Sequence, residues 1–315
     1  MNIERGILLN PNDLSEIWMS RLRASNLRRF GLHPGGGKTA YLGLESMLRS
    51  YDRLLPRLDE LEAAGITVEH EIHAVRWMLP TDMFDAHQDW FRMNANGERT
   101  ADFNLCPSNG DALEFISNRA AELASRIPAK SHRYHLWADD VLHSHCFCPD
   151  CRRLSPSDQA LMIANAILRG LRRVDAQARE CYLAYYQTIP APRLVEPEDG
   201  IYLEFAPMDR DYDRPLSDVS SAKNAEQIAA LPDLFACFGP SDAIACDYWL
   251  DNALRSDWKR PPKPFTLNQS VTEADLSFYE SCGFSAATTF SGCLGDDYEA
   301  LYGPPSIEGY LSCTR

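Results

Sequence analysis

Residues 133–153 read RYHLWADDVLHSHCFCPDCRR. A short strand-like run, RYHLW, ends in two adjacent carboxylates, Asp139 and Asp140, and three cysteines follow within a dozen residues. Directly downstream, SPSDQALMIANAIL carries a helix-start signal and an apolar stripe, and CYLAYYQT at 181–188 is again strand-like. Strand, helix and strand in that order make a parallel unit closed by a right-handed crossover. Working outward, strand patterns recur at 6–10, 28–33, 67–77, 201–207, 243–249 and 284–290. Helical patterns lie between most of them. After a start signal at Asn12 and Asp13, the first includes Ile17 and Leu22. The longest, at 44–64, places Leu48, Tyr51, Leu55, Leu58 and Leu61 at helical spacing and stops at Gly65. Others span about 108–127, 155–178, 223–238 and 273–281. Only the link between strands five and six is a Pro-rich loop instead of a helix. Eight strands with this alternation predict an α/β fold: a single (β/α)8 TIM-type barrel domain over 1–315, with one crossover reduced to a loop.

The chain has 315 residues, 45% hydrophobic, and a net charge of -14. That balance argues against nucleic acid, which needs clustered Lys and Arg. The opening MNIERGILLNPNDL lacks a basic segment followed by a long apolar run, and no later stretch reads as a membrane span. The expectation is a cytoplasmic protein with no membrane partner. Its ten cysteines are then reduced, with Cys181, Cys237, Cys246, Cys282 and Cys293 expected in the core.

In a barrel of this kind one parity of each strand faces the helices, and the other faces the axis, with reactive groups gathered at the carboxyl ends. Ile201, Leu203 and Phe205 suit the helix side, so Tyr202 and Glu204 face inward. The same rule turns Asp247 and Trp249, then His135, Trp137 and Asp139, toward the axis, with Asp140 beginning the loop. His73 and Trp77 on strand three, whose sequence TVEHEIHAVRW is unusually polar, and His33 on strand two complete the rim. The expected catalytic carboxylates are therefore Asp139, Asp140, Glu204 and Asp247. The expected substrate-binding residues are His33, His73, Trp77, Trp137, Tyr202 and Trp249. Carboxylates with aromatic walls are what glycoside cleavage requires: a proton donor, a partner carboxylate and faces for sugar rings. Against this stands the plainer reading that an Asp at a strand end caps or anchors a loop.

C-x-C-x2-C at Cys146, Cys148 and Cys151 suits a structural zinc, and Cys106 is the first candidate for its fourth ligand, with His143 and His145 as alternatives. No cofactor is expected for catalysis. HPGGGKT is not a phosphate loop, because G-x4-G-K-S/T needs glycine where Leu32 stands; Gly35 to Gly37 let a loop turn beside the pocket.

The segments QDWFRMNANGERT, NLCPSNGDALEFI, RYHLWADDV, CFCPDC, GIYLEFAPMDRD and YWLDNALRSDWKRP resemble a bacterial family of glycoside-hydrolase-like barrel domains of long unknown function. That family is similar to α-glucuronidases and to endo-β-N-acetylglucosaminidases of glycoside hydrolase family 163. The resemblance runs from about residue 73 to 261 and implies a barrel acting on oligosaccharides, uronosyl or N-acetylhexosaminyl. It implies Asp139 or Asp140 as acid with Glu204 and Asp247 as base candidates, or an Asp139–Asp140 pair that polarises an acetamido group and donates the proton. A non-catalytic carbohydrate-binding or regulatory barrel is the alternative.

Overall fold

The computed structural model describes residues 3–312. Eight parallel strands close on themselves in sequence order: β1 (Glu4–Leu9), β2 (Arg29–Leu32), β3 (Thr67–His73), β4 (Arg133–Trp137), β5 (Arg179–Tyr185), β6 (Ile201–Ala206), β7 (Ile244–Asp247) and β8 (Ala286–Phe290). β8 returns to β1 in register from Glu4↔Ala286 to Leu8↔Phe290, so no sheet edge is left open. The predicted (β/α)8 barrel is therefore the fold, and both ends of the expected 1–315 domain extend past the described residues. Its helices are α1 (Glu16–Ala24), α2 (Ala40–Ala63), α3 (Val75–Met78), α4 (Gly110–Arg126), α5 (Pro156–Leu171), α6 (Ala222–Ala229), α7 (Leu231–Phe238), α8 (Asn252–Arg255), α9 (Gln269–Cys282), α10 (Asp296–Tyr302) and α11 (Glu308–Leu311).

Strand parity divides the core in two. Ile7, Phe30, Ile72, Leu136, Leu203 and Phe205 face the helices and join their apolar stripes. Leu8, Trp137, Cys181, Tyr202, Ile244, Cys246 and Ala286 fill the barrel itself. On α2 the buried stripe is Leu44, Met47, Tyr51, Leu54, Leu58 and Leu61, while Leu55, expected in it, is exposed. Gly170 lets α5 lie directly on α4, since a Cβ there would sit 1.9 Å from the Ser117 carbonyl oxygen.

The β4–β5 ladder is short. It pairs Arg133↔Arg179 and Tyr134↔Glu180, and beyond it the Glu180 carboxylate accepts the Leu136 amide at 2.9 Å in place of a strand neighbour. Between β5 and β6 no crossover helix occurs, only a 3-10 turn at Tyr186–Thr188 and an extended strap, as predicted. Side chains of α5 hold that strap. Asp158 shares a capping box with Ser155, and its other oxygen accepts the amides of Arg193, Leu194 and Val195 at 2.8, 2.7 and 3.2 Å. Asn165 adds bonds to Glu196 and Glu198.

Three expectations are corrected. Strand three stops at His73, and the chain turns into α3, which puts Trp77 outside the barrel under the Arg119 guanidinium at 4.1 Å. The 223–238 helix is broken at Ala230, ahead of Pro232. Cys237 and Cys282 are only half-buried, whereas Cys181, Cys246 and Cys293 are core residues.

Candidate functional site at the barrel mouth

A cavity of about 780 Å³ opens at the carboxyl ends of the strands. That volume lies in the range that encloses small-molecule ligands. From β4 the chain enters it through Asp139 and Asp140, whose roles divide. Asp139 accepts the Arg76 amide at 2.9 Å and the Asn104 amide at 2.6 Å, one on each oxygen, and its own amide donates to Asn104 Oδ1. Burial raises its carboxyl above the ordinary value, with the two amides opposing. It is a joint between loops. Asp140 turns into the cavity, held by the Gly37 amide at 2.7 Å and the Tyr185 hydroxyl at 3.1 Å. The glycine loop exists for this approach: a Cβ on Gly36 would lie 2.5 Å from Asp140 Oδ2.

Two histidines floor the cavity. His33 Nδ1 lies 2.8 Å from the Glu71 carbonyl and His73 Nδ1 lies 2.7 Å from the Ala138 carbonyl. A carbonyl only accepts, so each Nδ1 carries a proton, which leaves Nε2 of an uncharged ring as an acceptor. Burial, then the neighbouring His73, pushes His33 down to about 4, so it is uncharged at neutral pH. Their rings meet edge to face at 5.7 Å, and Trp137 lies beside both. Tyr248 stacked on Phe290 at 5.2 Å, with Tyr185 against Tyr186, supplies the walls. Opposite β4, beyond β7, Asp251 lines the same cavity. It is nearly buried, and burial pushes its carboxyl up to about 6 despite accepting the amides of Ala253 and Leu254. Arg260 and Asp13 form an ion pair at the rim.

Beneath the floor lies a sealed polar layer. Glu204 faces the axis as expected but is fully buried, with Oε2 accepting from His135 at 2.7 Å and Trp137 at 3.2 Å. Burial alone would lower His135, yet the Glu204 carboxylate pushes it well above its ordinary value. As an imidazolium it hydrogen-bonds the Tyr202 hydroxyl, which donates to the Tyr134 carbonyl. Glu69 is held down at about 2: its burial is outweighed by His135, Arg29 and Arg133. Glu71 is pushed well above the usual carboxylate range by burial and by Glu204, so it is the member that keeps a proton.

The expectation for strand seven is overturned. Ile244 and Cys246 face the axis, so Asp247 and Trp249 point outward. Asp247 meets Arg210 at 2.7 Å and the Tyr279 hydroxyl at 2.8 Å, and Trp249 donates to Asp275 at 2.9 Å. The rim of four carboxylates thus becomes one, Asp140, joined by Asp251. Of the six expected substrate-binding residues, His33, His73 and Trp137 line the cavity. Trp77 and Trp249 lie outside the barrel, and Tyr202 lies deep in it with Arg133 3.9 Å above its ring.

The three closely spaced cysteines meet Cys106, the expected fourth member from the adjacent βα loop. Cys106, Cys146, Cys148 and Cys151 are all buried, with their sulfurs within 4.8 Å of one another. Neither His143 nor His145 belongs to the group; His145 packs on Phe147.

The family described as domain of unknown function (DUF4838) matches residues 53–233, more than half of the chain. The chain belongs to that family. The family region carries Asp140, the cysteine group and the sealed layer from Glu69 to Glu204, whereas Asp251 lies beyond it. None of the curated proteins compared matches the chain in sequence. Among solved structures, endo-glycoceramidase II from Rhodococcus sp. is similar at TM-score 0.56 and 13% identity, over 92% of this chain and 73% of that one. A β-galactosidase from Rahnella sp. R3 is similar at TM-score 0.51 and 14% identity, over 92% and 50%. A family 42 β-galactosidase from G. stearothermophilus is similar at TM-score 0.51 and 12% identity, over 91% and 50%. The chain spans about half the length of these galactosidases, and at such identities the likeness is one of fold. Among the described residues no helix is long and apolar enough to cross a membrane.

Sequence reasoning missed Asp251, Tyr185, Glu69 and Glu71. The glutamates were readable, since Glu69, Glu71 and His73 share one parity of β3. Asp251 was not, because Asp-Asn before a short helix carries the signature of a cap and does cap α8.

Proposed function

We propose that this family member cleaves glycosidic bonds in oligosaccharides, with Asp140 and Asp251 as the carboxyl pair. One observation carries the reading: both side chains line a single cavity at the barrel mouth, which His33, His73 and Trp137 floor and Tyr185, Tyr248 and Phe290 wall. Asp251, raised to about 6 by burial, is the member able to hold a proton in weakly acidic solution and give it to a leaving oxygen. Asp140, oriented by Gly37 and Tyr185, is the partner that activates water or stabilises the cationic centre. Nε2 of the uncharged His33 accepts from a sugar hydroxyl, and His73 lies beside it in the floor. Support for a carbohydrate substrate comes also from the similar barrels, whose names are those of enzymes acting on galactosides and glycoceramides.

Between the two substrate classes, the resemblance to α-glucuronidases fits better than the acetamido-assisted route. That route asks two adjacent acids to face the sugar, and both oxygens of Asp139 are taken by backbone amides. A uronosyl oligosaccharide in a reducing, cytoplasmic setting is therefore the preferred reading, the free buried thiols agreeing with such a compartment.

Asp140→Asn and Asp251→Asn, assayed on aryl glycosides and on uronosyl and N-acetylhexosaminyl oligosaccharides, should each lower kcat roughly 10²- to 10⁴-fold. Wild-type rates in both variants would sink the assignment. A binding barrel without turnover is the second reading, favoured by the backbone amides that Asp251 and Asp140 also hold. Calorimetric sugar binding with no hydrolysis across the panel would establish it instead.

A further inference from the structure

The four-cysteine group ties together two long loops that contain little regular structure. Cys106 ends the β3–α4 excursion, and Cys146, Cys148 and Cys151 sit in the β4–α5 loop. The Sγ atoms of Cys106 and Cys148 are 3.6 Å apart, and those of Cys106 and Cys151 are 3.8 Å apart. A tetrahedral ion with Zn–S bonds of about 2.3 Å requires edges of about 3.8 Å between its sulfurs. Disulfides would bring a pair to roughly 2.05 Å, and no pair is so close. Four thiols are thus packed at the spacing of a coordination sphere, in a place where an apolar residue would serve a core better.

The surroundings are built for thiolates. The Met93 amide donates to Cys146 Sγ at 3.3 Å, and the Ser108 hydroxyl lies 3.1 Å from Cys151 Sγ. Around the knot, Gln159 ties the loop down by accepting the Cys146 amide and donating to the carbonyls of Cys146 and Cys151. Such outer bonds fix ligand orientation in metal centres.

We propose that Cys106, Cys146, Cys148 and Cys151 bind one zinc ion, and that this ion fastens the loops that set Asp139 and Asp140. All four positions are protein sulfur, so no site remains for water or substrate and the ion is structural. Its reach to the mouth is short. Asn104, two residues before Cys106, locks Asp139 by amide and side chain, and donates to Ser144 Oγ at 2.8 Å. Asp140 follows that joint directly.

The purified chain should contain close to one zinc by elemental analysis. Cobalt exchanged into it should give the intense sulfur charge-transfer bands of a tetrahedral thiolate site. Cys148→Ser should lose most of the metal, while Cys282→Ser, outside the group, should keep it. Release of the ion from the wild type with a mercurial should lower the melting temperature by more than about 5 °C. This last measurement needs no variant to fold. Zinc below a tenth of an equivalent with four titratable thiols, a disulfide within the group by mass, or iron in place of zinc would each overturn the proposal. None of these readouts depends on hydrolytic activity.

Discussion

Two clusters of buried charge hang on neighbouring strands and behave as opposites. Outside the barrel, Arg210 lies 2.7 Å from Asp247 and 2.8 Å from Asp275, while Tyr279, Trp249 and the amides of Leu216 and Tyr248 bond those two carboxylates. Inside, Glu204, Glu71, Glu69 and His135 are stacked under the cavity floor, and one oxygen each of Glu71 and Glu204 has no fixed hydrogen-bond donor. In the outer cluster all four carboxylate oxygens are met by donors fixed in place. In the inner one Arg29 and Arg133 hold Glu69, and the balance of the rest depends on the protons that His135 and Glu71 keep. A carboxylate on a barrel strand can therefore be a bolt or a titrating group, and its partners, not its position, decide which.

The comparison is tested most severely at Arg210. Arg210→Met leaves two fully buried carboxylates without their cation and should cost about 3–5 kcal/mol in urea unfolding at pH 7. A cost below about 1 kcal/mol would show that the outer cluster is not a bolt.

Next comes Glu204→Gln, expected to cost about 1–3 kcal/mol at pH 7 because His135 loses its partner. Here pH should matter. His135 is raised in the folded state above its ordinary 6.5, so its stabilising contribution is complete below that value and is lost as pH rises through the folded value. Wild-type stability should thus decline on the alkaline side of neutrality, and the variant should flatten that decline. Equal slopes from pH 6 to 10 would remove the distinction between the clusters.

Smallest in stability, but largest in chemistry, is Gly36→Ala. The backbone at Gly36, φ -114°, accepts alanine, so folding should change by under ~1 kcal/mol. Its Cβ would displace Asp140, and kcat/KM should fall roughly 10- to 100-fold. If instead activity tracks the Glu204 variant and ignores Gly36, the working carboxylate lies below the floor.

Most of the barrel could be read in the chain because β6 and β4 alternate cleanly: Leu203 and Phe205 against Glu204, Leu136 against His135 and Trp137. β7 defeated the same rule. Ala245, small, faces the helices, and the polar Asp247 beside it could be placed outside only by knowing of Arg210, which comes from a loop 37 residues earlier. Cys106 could be matched to the other cysteines because its βα loop neighbours theirs in the barrel. Asp251 was hidden for the converse reason, since one side chain serves both as a helix cap and as a cavity carboxyl.

The strap between β5 and β6 has a kinetic corollary. Three successive amides, those of Arg193, Leu194 and Val195, are protected by one carboxylate on α5 instead of by neighbours in a helix of their own. Such protection cannot arise locally; it appears only once α5 has formed and the strap has been laid across it. Hydrogen exchange at these three positions should therefore rise and fall together with that of α5, making a segment with no regular structure a reporter of when that side of the barrel closes.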